Sequence, residues 1–359
     1  MLERKSELVL SPKDLKPSDE RLKVIGVFNP GVTRYNQKVI MLARVAEAVK
    51  NVERNQTCSP RMVFSELSKV NLEVDCFRTD DENHDPRKVA SDNGLVRLNF
   101  ISRLALIELN QSGQEIIKVS SPSALQPINE YEEYGVEDPR ISKIDDTFYI
   151  TYVSVSKKCG ICTSLMSTKD FVDFKRLGII FDLETKDVVL FPEQIDGKFA
   201  AYTRPSSHTR LHHSNLLLAY STDLIHWGEY QHVLTSPEVG FDSNKLGPGC
   251  PPLKTKHGWL NIYHGVEKVD DSDSIGVYSA GAFLSDLDDP SKVIARTKSA
   301  IMAPFESFET TGFAPYVVFP TGVIQDHLNP DILQIFYGAA DTVVGRATIS
   351  LADVINAME

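Results

Sequence analysis

No apolar run in this sequence approaches the roughly 20 residues that a membrane-spanning helix needs. Basic charge is in deficit, with 38 Lys and Arg against 49 Asp and Glu and a formal net charge of −11. That balance argues against nucleic acid or an anionic membrane as a partner, but not against a small anion held by local charge. Cysteine is sparse, odd in number and scattered, with five in 359 residues. Cys159-Gly-Ile-Cys162 is a lone C-x-x-C in an apolar, strand-like run, and no second pair completes a zinc site. All five are expected as reduced, mostly buried thiols of a cytoplasmic protein. The opening Met-Leu-Glu-Arg-Lys-Ser-Glu lacks the apolar core of a secretory signal. What remains is an ordinary globular composition, 42% hydrophobic and 24% charged, long enough for two domains or one large all-β domain.

What is present repeats. A polar turn feeding a run of aromatic and β-branched residues occurs five times, near positions 36, 145, 196, 257 and 330, in steps of 109, 51, 61 and 73. The runs begin at Val39, Thr147, Lys198, Trp259 and Ile332, and each reads as a turn followed by a strand. A second motif also recurs: Ser167-Thr-Lys-Asp170-Phe-Val-Asp-Phe174 resembles Ser221-Thr-Asp223-Leu-Ile-His-Trp227. Short strands repeating every 40–50 residues or so predict a β-propeller. The long first step predicts an insertion around residues 50–95, which are polar and irregular, plus one incomplete repeat. Pro12, Pro17 and dense charge predict an N-terminal arm over residues 1–20, leaving residues 21–359 as a single domain. Ser350-Leu-Ala-Asp353 has capping-box spacing and predicts a short C-terminal helix.

The densest chemistry lies in Tyr134-Gly-Val-Glu-Asp-Pro-Arg-Ile141. Proline pushes the residue before it out of the helical region, so Asp138 is expected on a tight connection, where catalytic groups often sit. Arg140 is placed to hold that carboxylate or to pair with a substrate anion. Taken alone, the motif reads better as an Asx-type turn with a surface ion pair. Beyond the turns stand Arg44, Arg204, His264 and, slightly farther on, Asp341. In a propeller the inner strands run beside one axis, so these residues and Asp138 would converge on one funnel suited to an anion.

These residues carry a resemblance. Phe28-Asn-Pro-Gly31 with Arg44, Gly135-Val-Glu-Asp-Pro-Arg140, Leu190-Phe-Pro192, Thr203-Arg-Pro205 and Asn244-Lys-Leu-Gly247 resemble glycoside hydrolase family 130. So do Gly258-Trp-Leu-Asn-Ile-Tyr-His-Gly-Val266, Leu287-Asp-Asp-Pro-Ser-Lys-Val293 and Tyr337-Gly-Ala-Ala-Asp341. The likeness runs from about Phe28 to Asp341. This family holds the β-mannoside phosphorylases and β-mannosidases, and it implies a five-bladed β-propeller and an inverting reaction with one enzymic carboxylate. Asp138 occupies that place, with its proton relayed in the family through the 3-hydroxyl of the bound mannose. An inverting glycosidase needs a second carboxylate to activate water. A phosphorylase needs cations to hold phosphate instead.

The resemblance places Arg204, Lys245 and His264 at the phosphate, with Lys186 a less certain contact. It places Asn29 and Asp341 on the mannose hydroxyls, with Arg44 reaching the same subsite; His208 reads equally as an acceptor-sugar contact and as a plain loop histidine. Tyr337 and Tyr202 are candidates for packing on the sugar and equally for the core. The adjacent His212 and His213 make no metal site. The expected activity is phosphorolysis of a β-linked mannoside, β-1,2-mannobiose or a short manno-oligosaccharide favoured, to α-mannose 1-phosphate and a shortened acceptor. Inorganic phosphate is the co-substrate, and no metal or organic cofactor is implied. A homo-oligomer is left open. The alternatives are a β-mannosidase using water, with Glu193 or Asp187 as base, and a non-catalytic carbohydrate-binding propeller.

Overall fold

The computed structural model describes residues 2–65, 70–78, 88–90, 96–182, 184–206, 215–267 and 275–358. The architecture is all-β, and its strands fall into five antiparallel units. The first comprises Leu22–Tyr35, Lys38–Val49, Phe100–Leu109 and Ile116–Ser120; the second Gly135–Ile144, Thr147–Ser156, Gly160–Thr168 and Phe174–Phe181. The third comprises Thr185–Leu190, Phe199–Pro205, Leu216–Ser221 and Gly228–Leu234. In the fourth, Gly258–Glu267 pairs with both Lys245–Pro248 and Leu253–Thr255 and continues to Val277–Ser285 and Val293–Arg296. The fifth is Val318–Gln325, Ile332–Ala339, Val343–Ser350 and, from the other end of the chain, Lys5–Leu10. The first strands of units one to four pack successively on one another, the first strand of unit five packs on the second and third strands of unit four, and it packs on the first strand of unit one as well.

Each of the five predicted turns joins the first strand of a unit to the second. Their chemistry is local. Asn36, Asp145, Asp196 and Gly258 take left-handed backbone, which Asn, Asp and Gly tolerate. The second repeated motif forms the turn from third to fourth strand in units two and three. Asp170 Oδ1 accepts from the backbone N–H groups of Val172 and Asp173, and Asp223 Oδ1 from those of Ile225 and His226. Turn aromatics then seal the joints between units. Tyr35 and Phe171 pack on Phe148 at ring distances of 5.6 and 4.7 Å, and Phe191 packs on Tyr202 and Trp259 at 4.9 and 5.2 Å. Each such buried ring contributes on the order of 1.5–3 kcal/mol.

Units one and two share a continuous sheet through a single parallel bridge, Gly135 to Ser102. Gly135 has φ 122°, and a Cβ there would lie 2.1 Å from the Ser102 carbonyl oxygen, so only glycine fits.

Three expectations need correction. The N-terminal segment is not only an arm: Lys5–Leu10 is a strand of unit five, and Leu10 and Leu15 are buried in the core. The prolines lie just outside this strand, so they bound it without interrupting it. The insertion contains the hairpin Gln56–Phe64/Val70–Arg78 and the pair Lys88–Ala90/Val96–Leu98, between the second and third strands of unit one. Among the described residues no incomplete repeat accompanies it, because Phe100–Leu109 and Ile116–Ser120 complete that unit. Cys58 and Cys76 face each other across the first hairpin and form a disulfide, so two of the five cysteines are not reduced thiols. Directly opposed strand positions bring Cβ atoms into bonding reach, whatever their separation along the chain. Cys159, Cys162 and Cys250 remain thiols. The C-terminal helix Leu351–Asn356 is present, capped by Ser350 Oγ accepting from the Asp353 N–H.

Candidate active site

In three units the first strand is broken by a bulge whose central residue has left-handed backbone. These residues are Asn29 (φ 49°), Asp138 (φ 50°) and Asp187 (φ 59°). Asp138 therefore stands on a bulge inside a strand, not on the tight connection expected from Asp-Pro. A bulge re-aims one side chain out of the alternating pattern, and here the three are brought to one place. On the adjacent second strands, Arg44 lies opposite Phe28, Arg204 opposite Lys186 and His264 opposite Gly247. Asp341 (φ 47°) follows the second strand of unit five.

Together they surround a cavity of about 370 Å³ with two electrostatic poles. Its lining carries an acidic group, Asn29, Arg44, Glu137, Asp138 and Asp341, and a cationic group, Lys186, Asp187, Arg204 and Lys245. Phe28, Phe100, Tyr278, Phe313 and Phe319 supply aromatic walls.

At the acidic pole, Asp138 Oδ1 accepts from Asn29 Nδ2 at 2.9 Å and Arg44 Nη1 at 3.1 Å. Arg44 Nη2 donates to Glu137 Oε1 at 2.7 Å, and Ser102 Oγ donates to the same oxygen at 2.9 Å. One guanidinium thus serves two carboxylates. Burial opposes its charge, but Glu137, Asp138 and Asp341 outweigh burial and hold Arg44 protonated. Burial pushes the Glu137 carboxyl above its ordinary range; Arg44 opposes this and the Asp138 charge adds to it.

Behind Asn29, Gly338 leaves no room for a side chain. A Cβ there would fall 1.9 Å from Asn29 Oδ1. Gly338→Ala is expected to push Asn29 off Asp138. Misplacement by about 1 Å costs on the order of 10²-fold in rate, read as kcat/KM on a β-mannobiose with the thermal midpoint as control.

At the cationic pole, Arg204 Nε donates to Asp187 Oδ2 at 2.8 Å, and Lys245 Nζ stands 5.8 Å from the Tyr278 ring centre. Burial disfavours charge on Asp187, but Arg204, with His264, Arg140 and Lys186, holds its carboxyl far below the usual range. His264 is fully buried and lies behind the cavity wall rather than on it. Burial, with Arg204, Lys245 and Arg140, pushes its ring well below the ordinary histidine range, against the pull of Asp187. Its Nδ1 lies 3.2 Å from the Pro248 carbonyl oxygen, and Nε2 lies 3.8 Å from Asp187 Oδ2.

The structure therefore brings together Asn29, Arg44, Asp138, Lys186, Arg204, Lys245 and Asp341 on one cavity. Arg140 does not line it, because its guanidinium is spent on Asp138 O, Gly249 O and Asp187. His208, His212 and His213 lie outside the described residues. Tyr337 and Tyr202 belong to the core: the Tyr337 hydroxyl donates to Glu309 Oε1, and the Tyr202 hydroxyl donates to the Pro290 carbonyl and lies 2.9 Å from Ser285 Oγ. Glu193 is exposed and paired with Lys254. Two contributions were missed in the sequence. Asp187 organises the cations, a role visible only as the acid of Lys186-Asp187 ahead of a turn. The aromatic walls other than Phe28 carried no signal.

An acid pole facing a cation pole across a sugar-sized cavity marks an enzyme of the glycoside phosphorylase type. Residues 101–359 match the family model described as beta-1,4-mannooligosaccharide phosphorylase. The chain is 36% identical over 356 residues to a beta-1,2-mannobiose phosphorylase of Listeria innocua, covering 98% of this chain and 96% of that one. It is 36% identical over 259 residues to a 1,2-beta-oligomannan phosphorylase of Thermoanaerobacter, covering 71% and 81%. The solved structure of the Listeria innocua beta-1,2-mannobiose phosphorylase, in complex with beta-1,2-mannobiose, superimposes with a TM-score of 0.85 at 33% identity, covering 97% of this chain and 96% of that one. The chain belongs to glycoside hydrolase family 130.

Proposed function

We propose that the protein is an inverting β-mannoside phosphorylase that converts β-1,2-mannobiose or a short β-1,2-oligomannoside and phosphate into α-mannose 1-phosphate and a shortened acceptor. Its similarity over nearly the full chain to a β-1,2-mannobiose phosphorylase supports the linkage. The observation that carries the reading is the set of three cations, Lys186, Arg204 and Lys245, across one cavity from Asp138.

In this reading Asp138 protonates the leaving oxygen. Asn29, Arg44 and Asp341 hold the mannose, and Lys186, Arg204 and Lys245 hold phosphate on the opposite face, with His264 behind them. Phosphate arrives as an anionic nucleophile, so no enzymic base is needed and binding becomes a matter of charge and position. No cofactor takes part beyond phosphate as co-substrate. Among the described residues no cluster of His, Cys, Asp and Glu is arranged to hold a metal ion. The five units are read as the blades of a five-bladed propeller, supported by their cyclic packing and by the N-terminal strand completing unit five. Among the described residues no helix is long and apolar enough to cross a membrane. We place the protein in the cytoplasm, where phosphorolysis delivers a sugar phosphate directly.

The water-using alternative is disfavoured by Asp187. A carboxylate held this far below its ordinary range is a poor proton acceptor, and its oxygens already bind Arg204 and Arg140.

The deciding experiment incubates the protein with β-1,2- and β-1,4-mannobiose, with and without phosphate. The expected product is α-mannose 1-phosphate, formed only with phosphate and faster from the β-1,2 substrate. Equal release of free mannose in both conditions reassigns the protein as a hydrolase. Binding without turnover leaves a carbohydrate-binding module.

A further inference from the structure

Arg140 is only 1% exposed and does not border the cavity. The bulge between Glu137 and Arg140 takes Asp138 out of the strand ladder. A buried carbonyl in that position needs another donor. Arg140 supplies it: Nη1 donates to the Asp138 carbonyl at 2.7 Å. The same guanidinium donates through Nε to the Gly249 carbonyl at 3.3 Å and through Nη2 to Asp187 Oδ1 at 3.4 Å. Asp187 in turn accepts from Arg204 Nε through its other oxygen at 2.8 Å. The guanidinium also lies 5.4 Å from the Phe319 ring centre. One planar side chain therefore touches the second, third, fourth and fifth units.

We propose that Arg140 is a positioning residue that couples the acid to the phosphate site, fixing the Asp138 backbone with one arm and the Asp187–Arg204 pair with another. This rests on the reading of Asp138 as acid and Arg204 as phosphate ligand. The sequence motif places Arg140 to hold the Asp138 carboxylate or to pair with a substrate anion; the geometry makes its action indirect. A planar fork is required, because a lysine offers one point charge and cannot reach three acceptors in different directions.

The test is Arg140→Lys, assayed with β-1,2-mannobiose and with β-mannosyl fluoride, whose leaving group needs little protonation. With mannobiose, kcat is expected to fall on the order of 10²-fold, as for about 1 Å of misplacement, and the phosphate KM to rise about tenfold. With the fluoride, most of the kcat loss should vanish while the rise in phosphate KM stays. A residue with only a packing duty would lower the folded fraction, reducing kcat on both substrates by one factor and leaving the phosphate KM alone. That result overturns the proposal, as do wild-type kinetics. Asp187→Asn is the second probe, and it decides if Arg140→Lys does not fold. Coupling predicts that it too lowers kcat on mannobiose. A rise in phosphate KM alone overturns the coupling. Failure of the functional reading is separable, since it would show as phosphate-independent turnover by the unmodified enzyme.

Discussion

Asp138→Asn is expected to stop phosphorolysis of β-mannobiose while leaving the protein folded and able to bind sugar. The amide is nearly the same shape and can still accept from Asn29 and Arg44 through its oxygen, as Asp138 Oδ1 does. It has no acidic proton to give. Loss of a general acid costs on the order of 10²–10⁴-fold in rate. On β-mannosyl fluoride in phosphate the loss should be far smaller. Comparing the two substrates separates proton donation from binding: equal loss on both would assign Asp138 a binding or structural duty. Full activity on mannobiose would pass the role to Glu137, the adjacent carboxyl that burial pushes above its ordinary range.

Arg204→Ala is expected to have the second large effect, in two measurements. Removing one charge-assisted contact to a desolvated phosphate costs roughly 1.5–3 kcal/mol, about one to two orders of magnitude in phosphate affinity. The substitution also strips Asp187, 2% exposed, of its shortest ion-pair contact. Breaking a buried pair from one side destabilises by about 3–5 kcal/mol. Arg140 remains beside Asp187 and should hold the loss to the lower end. The phosphate KM should therefore rise as the thermal midpoint falls, whereas affinity for the disaccharide changes little. A variant that saturates with phosphate as the unmodified enzyme does would remove Arg204 from the anion site.

Local chemistry explains what was legible. Four of the five first turns could be read because Asn, Asp and Gly announce left-handed backbone wherever they stand, and the fifth because the Asn329 side chain accepts from the Asp331 N–H. The Asp170 and Asp223 turns were legible because each aspartate bonds its own neighbours two and three residues on. The C-terminal helix was visible for the same reason. The disulfide was not, since Cys58 and Cys76 meet only through the register of a hairpin. Nor was the strand at Lys5–Leu10, whose partner, Val343–Ser350, lies at the far end of the chain.

The sequence by itself determined the repeat, the all-β class and the identity of the chemical groups: one carboxylate before a proline and a scatter of arginines, lysines and histidines. Tertiary structure decided what those groups are to one another. Asn29 and Arg44 reach Asp138 across 109 and 94 residues. His264 and Arg140, both expected at the substrate, are buried behind the wall, and Asp187 was drawn in as the counter-charge of the cation pole. The physical reason is that bulge position and sheet packing set a side chain's direction, and neither is encoded within a few residues of it. Charge in a cavity, moreover, depends on every unit that borders it.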